Sequence, residues 1–326
     1  MLRRWLTLAA VAAIGLAGCG NDEPSLSVTP LGDVRPGDTV GLIAVDSGDD
    51  QFVDLVDRLD GTIRRIDIDD LGAGFTTLAT IPVSTDGEQQ GLLGQVIVDD
   101  IRYAAWTQPD TFELVVGKVT DDGPGDIVWN AGRAGGGAIG GVLGELDGQV
   151  LLGLGRNTEW DAENAVGGAM LLIDPADAVD GPDPAESIIS VGYTNPWAFT
   201  VTESGEVWVA DNAAGPDPDD ELIDDLERFG RADLVDDRNE IPRRSTPDRA
   251  PTSMIELPDG RLAICGFLDN ELRAYEIVDG ENGERSALDR AGTIMPCLTG
   301  ATIFDDGTIA TLGQTDTGMA LHILRP

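Results

Sequence analysis

DGTIATLGQ, Asp306 to Gln314, is the stretch whose reading decides the fold. An Asp-Gly pair is followed by a short run in which apolar residues alternate with small or polar ones. Asp-Gly suits a turn that needs positive φ, and the alternation suits a strand with one buried face. The same signature recurs upstream. DGRLAICGF begins at Asp259, SGEVWVADN at Ser204, DGQVLLGLG at Asp147, DIRYAAW at Asp100 and DGTIRRIDI at Asp60. In chain order the intervals are 40, 47, 57, 55 and 47 residues. Four-stranded propeller blades repeat every 40 to 50 residues or so, roughly this spacing. Six units predict an all-β, six-bladed β-propeller over residues 39–326, as one domain. The 42 glycines and the short Val, Ile, Leu and Thr runs agree with that class.

One segment breaks the rhythm. Pro216 to Pro251 is long and charged and contains ELIDDLERFGRADLVDD, Glu221 to Asp237. Leu222, Ile223, Leu226 and Phe229 lie at helical spacing. The expectation is a long acidic, partly helical loop insertion on the face where propeller loops bind ligands.

The N-terminus reads as a targeting segment. Arg3 and Arg4 precede an apolar run, Trp5 to Leu16, that is short for a membrane span. Leu16-Ala17-Gly18-Cys19 then resembles a lipoprotein lipobox. Residues 1–18 are expected to be a signal peptide, with Cys19 lipidated and residues 19–38 a flexible tether. The protein is thus expected to be an exported, membrane-anchored bacterial lipoprotein. Two cysteines remain, Cys265 and Cys297. In an oxidising compartment they suggest one disulfide, with two buried thiols as the alternative.

The formal net charge is -38, from 59 Asp and Glu against 21 Lys and Arg. Such a surface repels nucleic acid and anionic headgroups, so no nucleic-acid partner is expected. The one histidine, His322, lies in an apolar C-terminal stretch and reads as a packed strand residue.

Three motifs occur in order: DGEQQGLLG (Asp86–Gly94), GAIGGVLGELDGQVLLGLGRN (Gly137–Asn157) and GYTNPWAFTVTESGEVWVADNAAGPDPDDEL (Gly192–Leu222). Together with APTSM from Ala250 and the closing GMALHILRP, they resemble the glucose/sorbosone dehydrogenase family. That resemblance covers most of the chain. It implies a propeller that uses pyrroloquinoline quinone (PQQ) and calcium, with a histidine base taking the proton from the anomeric hydroxyl as hydride passes to the quinone. By the same resemblance Gln89 and Asn195 are candidate cofactor-binding residues, and Arg156 and Asn157 join them as a polar lining of the central mouth. Gly215, Pro216, Asp219, Asp220 and Glu221 are candidate calcium ligands, supplying the carbonyl and carboxylate oxygens that a hard cation prefers. Acidic triplets also arise readily in a chain this acidic.

The chain departs from the family where the chemistry sits. Counting back ten residues from the Asp147-Gly148 turn puts the family's histidine at Gly137. Its Gly-Leu-Arg-Asn-Pro motif reads Gly192-Tyr193-Thr194-Asn195-Pro196, with Thr194 in place of the arginine. Loss of a general base alone costs about 10²- to 10⁴-fold in rate. The first expectation is a non-catalytic or divergent binding protein of the cell envelope, with calcium and a small-molecule or carbohydrate ligand. The alternative is an active PQQ-dependent aldose dehydrogenase with a substitute carboxylate base among Asp86, Glu88, Glu159, Asp161 and Asp211. Trp197, beside Asn195-Pro196, is the aromatic expected to face a ligand. Arg133 is read first as a surface ion-pair residue and second as part of the polar mouth lining.

Overall fold

The structure is a computed structural model. It describes residues 24–32, 34–48, 50–87, 89–134, 138–156, 167–176, 188–212, 228–234, 236, 250–279 and 285–326. The chain forms six antiparallel sheets. Blade I holds β2 (Thr39–Ser47), β3 (Asp50–Asp57), β4 (Thr62–Asp67) and β5 (Thr76–Thr80). Blade II holds β6 (Leu92–Val98), β7 (Ile101–Thr107), β8 (Glu113–Thr120) and β9 (Gly123–Arg133). Blade III holds β10 (Gly140–Leu146), β11 (Gln149–Leu154), β12 (Ala169–Ile173) and β13 (Ile188–Val191). Blade IV, among the described residues, holds β14 (Ala198–Val201), β15 (Val207–Asp211) and β16 (Arg228–Arg231). Blade V holds β17 (Pro251–Glu256), β18 (Leu262–Gly266), β19 (Glu271–Asp279) and β20 (Arg285–Met295). Blade VI holds β21 (Gly300–Ile303), β22 (Ile309–Thr315) and β23 (Gly318–Arg325), with β1 (Ser25–Pro30) added as its outer strand.

The ring is held by blade-to-blade burial. Six apolar clusters each span one interface between neighbouring blades. Between blades I and VI, for example, Val53, Leu55 and Ile66 pack with Leu312, Leu321 and Ile323. Between blades I and II, Ile63 and Val56 meet Trp106 and Val115. Each fully buried side chain of this kind contributes about 1.5–3 kcal/mol relative to exposure. The expectation of a single buried face is corrected: strands such as β11, β15 and β18 are buried on both faces, with Leu151 packing toward blade IV and Leu152 toward blade II.

Three further expectations are corrected. First, the Asp60-Gly61 turn joins β3 to β4, whereas the other five repeats lead from an inner strand into the second strand. The equivalent turn in blade I is at Ser47-Gly48. Both turns use a glycine at positive φ, 63° for Gly61 and 69° for Gly48, so their chemistry looks alike in sequence.

Second, residues 25–30 of the expected tether form β1. This strand pairs with β23 from Ser25 opposite Arg325 to Pro30 opposite Ala320. The sheet ring therefore closes with N- and C-terminal strands side by side, and the propeller begins at residue 25.

Third, Phe229 lies in β16, opposite Ala210, not on a helix. It is buried against Tyr275 of blade V, with ring centroids 6.1 Å apart. Among the described residues the 3₁₀ turn Ala232–Leu234 follows it. Leu222, Ile223 and Leu226 lie outside the described residues.

Candidate functional site

Antiparallel pairing places the starts of the inner strands and the ends of the second strands on one face, the mouth. Gln89 precedes β6, Asn195 precedes β14, and Arg156 follows β11, so all three belong to this face. A chain of hydrogen bonds joins them. The carboxamide oxygen of Gln89 accepts from the Ile139 N–H at 3.1 Å. The Ile139 carbonyl accepts from Gly155 at 3.1 Å, and the Arg156 N–H donates to the Thr194 carbonyl at 2.8 Å. The Thr194 N–H donates to both Asp211 carboxylate oxygens at 3.1 Å, and the Asn195 N–H donates to Oδ1 at 2.7 Å. The Asn195 carbonyl in turn accepts from Asn212 at 3.0 Å and Trp197 at 2.8 Å.

Asp211 is thus wholly buried and serves the loop backbone. Its carboxylate fixes the Thr194-Asn195 turn and presents Asn195. The Asn195 side chain is 6% exposed and its Oδ1 has no hydrogen-bond partner among the described residues. A buried amide oxygen without a partner costs about 1–3 kcal/mol.

Neighbouring mouth residues act as braces. The Arg58 guanidinium donates to the Gly37 carbonyl at 3.1 Å and to the Gln90 carbonyl at 2.7 Å. Burial lowers its pKa, with Asp38 opposing. The Gln90 side chain accepts from Ser84 Oγ at 2.6 Å and donates to the Ala134 carbonyl at 3.0 Å. These roles were not read from the sequence, because their partners lie up to 44 residues away.

Below the mouth, the six inner strands enclose an axial cavity of about 100 Å³. Gln95, Thr252, Ser253 and Thr299 supply its polar side chains, while Leu93, Val142, Phe199 and Met254 are among its apolar ones. Trp197 lines it, as its loop position suggested. Thr299 is 3% exposed and its Oγ1 has no partner among the described residues. Trp129 and Trp208 are core residues, and Phe199 is both core and cavity wall. The Arg133 guanidinium lies over the Phe112 ring at 5.5 Å, a cation–π contact at the mouth end of β9.

The remaining candidates fall elsewhere. Asp86 is exposed on the turn before β6. Cys19, Glu88, Gly137, Asn157, Glu159, Asp161, Gly215, Pro216, Asp219, Asp220 and Glu221 lie outside the described residues. Among the described residues no group of three His, Cys, Asp or Glu side chains is placed to hold a metal. Cys265 and Cys297 form a disulfide with Cα atoms 5.2 Å apart, tying β18 to the connection between blades V and VI. His322 lies in β23, between Val28 of β1 and Thr311 of β22. It is 3% exposed and is not part of the cavity wall.

Solved structures with this architecture were found. An oxidoreductase of glucose dehydrogenase type from Thermus thermophilus is 18% identical, with a TM-score of 0.68, over 92% of this chain and 100% of its own. The PQQ-bound aldose sugar dehydrogenase of Streptomyces coelicolor is also 18% identical, with a TM-score of 0.67, over 92% of this chain and 98% of its own. The holo PQQ domain of Coprinopsis cinerea pyranose dehydrogenase is 10% identical, with a TM-score of 0.63, over 94% and 98% of the two chains. The fold is that of the six-bladed sugar dehydrogenases. At these identities the likeness establishes architecture alone. No protein-family model matches the chain, and no curated protein matches it.

Of the candidate cofactor-holding residues, Gln89, Arg156 and Asn195 sit on the mouth, and none of them lines the axial cavity. An anionic tricarboxylate would need cationic partners at the mouth. Arg156, hydrogen-bonded to Thr194 through its backbone, is exposed on the mouth. The residues proposed to hold calcium lie outside the described residues.

Proposed function

We propose that this chain is an exported, lipid-anchored propeller of sugar-dehydrogenase architecture whose mouth binds a small polyhydroxylated ligand, and that it does not oxidise sugars by the histidine route. The observation that carries this reading is the placement of His322. The only histidine is sealed between strands of blade VI, so no imidazole is available at the mouth. Asn195, held by Asp211, offers a buried acceptor to a ligand hydroxyl, and Trp197 offers an aromatic wall beside it. Arg156 adds a cationic donor at the rim. A calcium ion on Gly215, Pro216, Asp219, Asp220 and Glu221 would organise the adjacent loop as a structural ion.

Calorimetric titration with calcium and then with a panel of aldoses and polyols tests this. Saturable binding that Asn195→Ala weakens about five- to tenfold is expected, since a hydrogen bond lost from a desolvated site is worth about 1–1.5 kcal/mol. Equal affinity in the variant would remove Asn195 from the site.

The PQQ-bound relative favours a second reading, an active quinoprotein with a substitute base. Asp211 is committed to three backbone N–H contacts, which leaves Asp86 as the described carboxylate at the mouth among those nominated.

A further inference from the structure

We infer that the protein stands on its membrane with the mouth pointing away, on the face formed by the turns between inner and second strands. This rests on the lipid-anchor reading of Cys19. Ser25, where β1 starts, pairs with Arg325, at the end of β23. Both ends lie on the face opposite the mouth, because β23 runs from Gly318 at the mouth to Arg325 at the base.

Only six residue steps separate Cys19 from Ser25. Fully extended they reach about 20 Å. The height of blade VI along β23 is seven steps, or about 23 Å. A mouth-down arrangement would require the tether to run the whole height of the blade before entering the lipid, which it is too short to do. The base-down arrangement needs no such detour.

A second observation points to the same corner. β1 is the outer strand of its sheet, and its Leu26 and Val28 are 50% and 47% exposed. They follow the anchor by seven and nine residues, so the apolar edge of blade VI lies nearest the headgroup layer. The rest of the base is acidic: its turns carry Asp100, Asp147, Glu203, Asp259 and Asp306. Repulsion between these carboxylates and anionic lipids holds the remaining base off the surface, so the disc rests on its blade VI corner. The mouth is thereby open to soluble ligands.

Blade VI supplies the test. Asp305, on the β21–β22 turn, and Asp316, on the β22–β23 turn, are both exposed and lie at opposite ends of one strand. Asp305→Cys and Asp316→Cys each add one thiol to the full-length lipidated protein for a maleimide fluorophore. Each is reconstituted into phosphatidylcholine vesicles with headgroup-nitroxide quenchers. Quenching at position 305 is expected to exceed that at 316 by at least about twofold, since about six strand residues at about 3.3 Å each separate the strand's ends. Equal quenching, or stronger quenching at 316, would overturn the orientation. Failure of both proteins to float with vesicles, with Cys19 unmodified by mass spectrometry, would instead overturn the anchor reading, and the orientation with it.

Discussion

The carboxylate of Asp211 holds the Asn195 N–H at 2.7 Å, and the same carboxylate holds the Thr194 N–H at 3.1 Å. A strand end of blade IV thus fixes the loop that enters the same blade's inner strand. Asp211 is therefore a positioning residue, although the sequence offered it as a substitute base.

Asp211→Asn places an NH₂ where one of two acceptor oxygens meets N–H donors. Loss of charge-assisted bonds in a buried site costs about 2–3 kcal/mol, or roughly 3–5 °C in melting temperature for a chain of this size. Calorimetric melting of the variant measures it. A change under about 1 °C would mean that the loop is held by other contacts.

The Gly91-Leu92-Leu93-Gly94 run illustrates what the motifs encode. A Cβ at Gly94 would lie 2.5 Å from the Gly141 carbonyl, where the inner strands of blades II and III touch. A Cβ at Gly91 would lie 2.4 Å from the Arg58 carbonyl. Gly94→Ala is expected to destabilise the protein by about 3 kcal/mol through overpacking. Unchanged denaturant midpoints would refute this close-approach reading.

The single histidine gives a clean pH signature. Burial lowers the pKa of His322 from its usual 6.5, with the Gly313 backbone opposing. The folded state therefore binds the proton less readily than the unfolded state. Stability is fully present above about pH 6.5 and falls as pH drops toward the lowered folded value. Melting temperature should be lower at about pH 5.5 than at about pH 7.5, and His322→Leu should flatten that step. A step of the same size in the variant would assign it to other groups.

Much of the fold was legible because five of the six blades repeat a turn that leads into an apolar second strand. The register of blade I was not, because Gly48 and Gly61 fit the same turn chemistry and only strand pairing distinguishes them. β1 was missed as well. Its sequence SLSVTP alternates, but Leu26 and Val28 face outward, and its partner strand lies about 290 residues away. Gln89, Arg156 and Asn195, nominated through the motifs, lie on one face because each flanks the mouth end of a strand. The axial cavity was not anticipated, since each inner strand contributes only a few residues to it. Thr299 carries no motif, and its isolation becomes visible only when the strands converge.

The disulfide offers a check on compartment as well as stability. Cys265 and Cys297 are separated by 32 residues. Closing a loop of that length contributes roughly 3–4 kcal/mol through the unfolded chain. The double variant Cys265→Ala/Cys297→Ala should melt several degrees lower. Recovery of both cysteines as free thiols from the native host would contradict the exported location.

The most direct measurement is a cofactor titration. Purified protein produced from residue 24 onward is titrated with PQQ in the presence and absence of calcium, followed by absorbance, and then assayed with aldoses and an artificial electron acceptor. No stoichiometric quinone uptake and no dye reduction are expected, with saturable sugar or polyol binding retained. Stoichiometric uptake accompanied by aldose-dependent dye reduction would contradict the account and establish the chain as a working dehydrogenase.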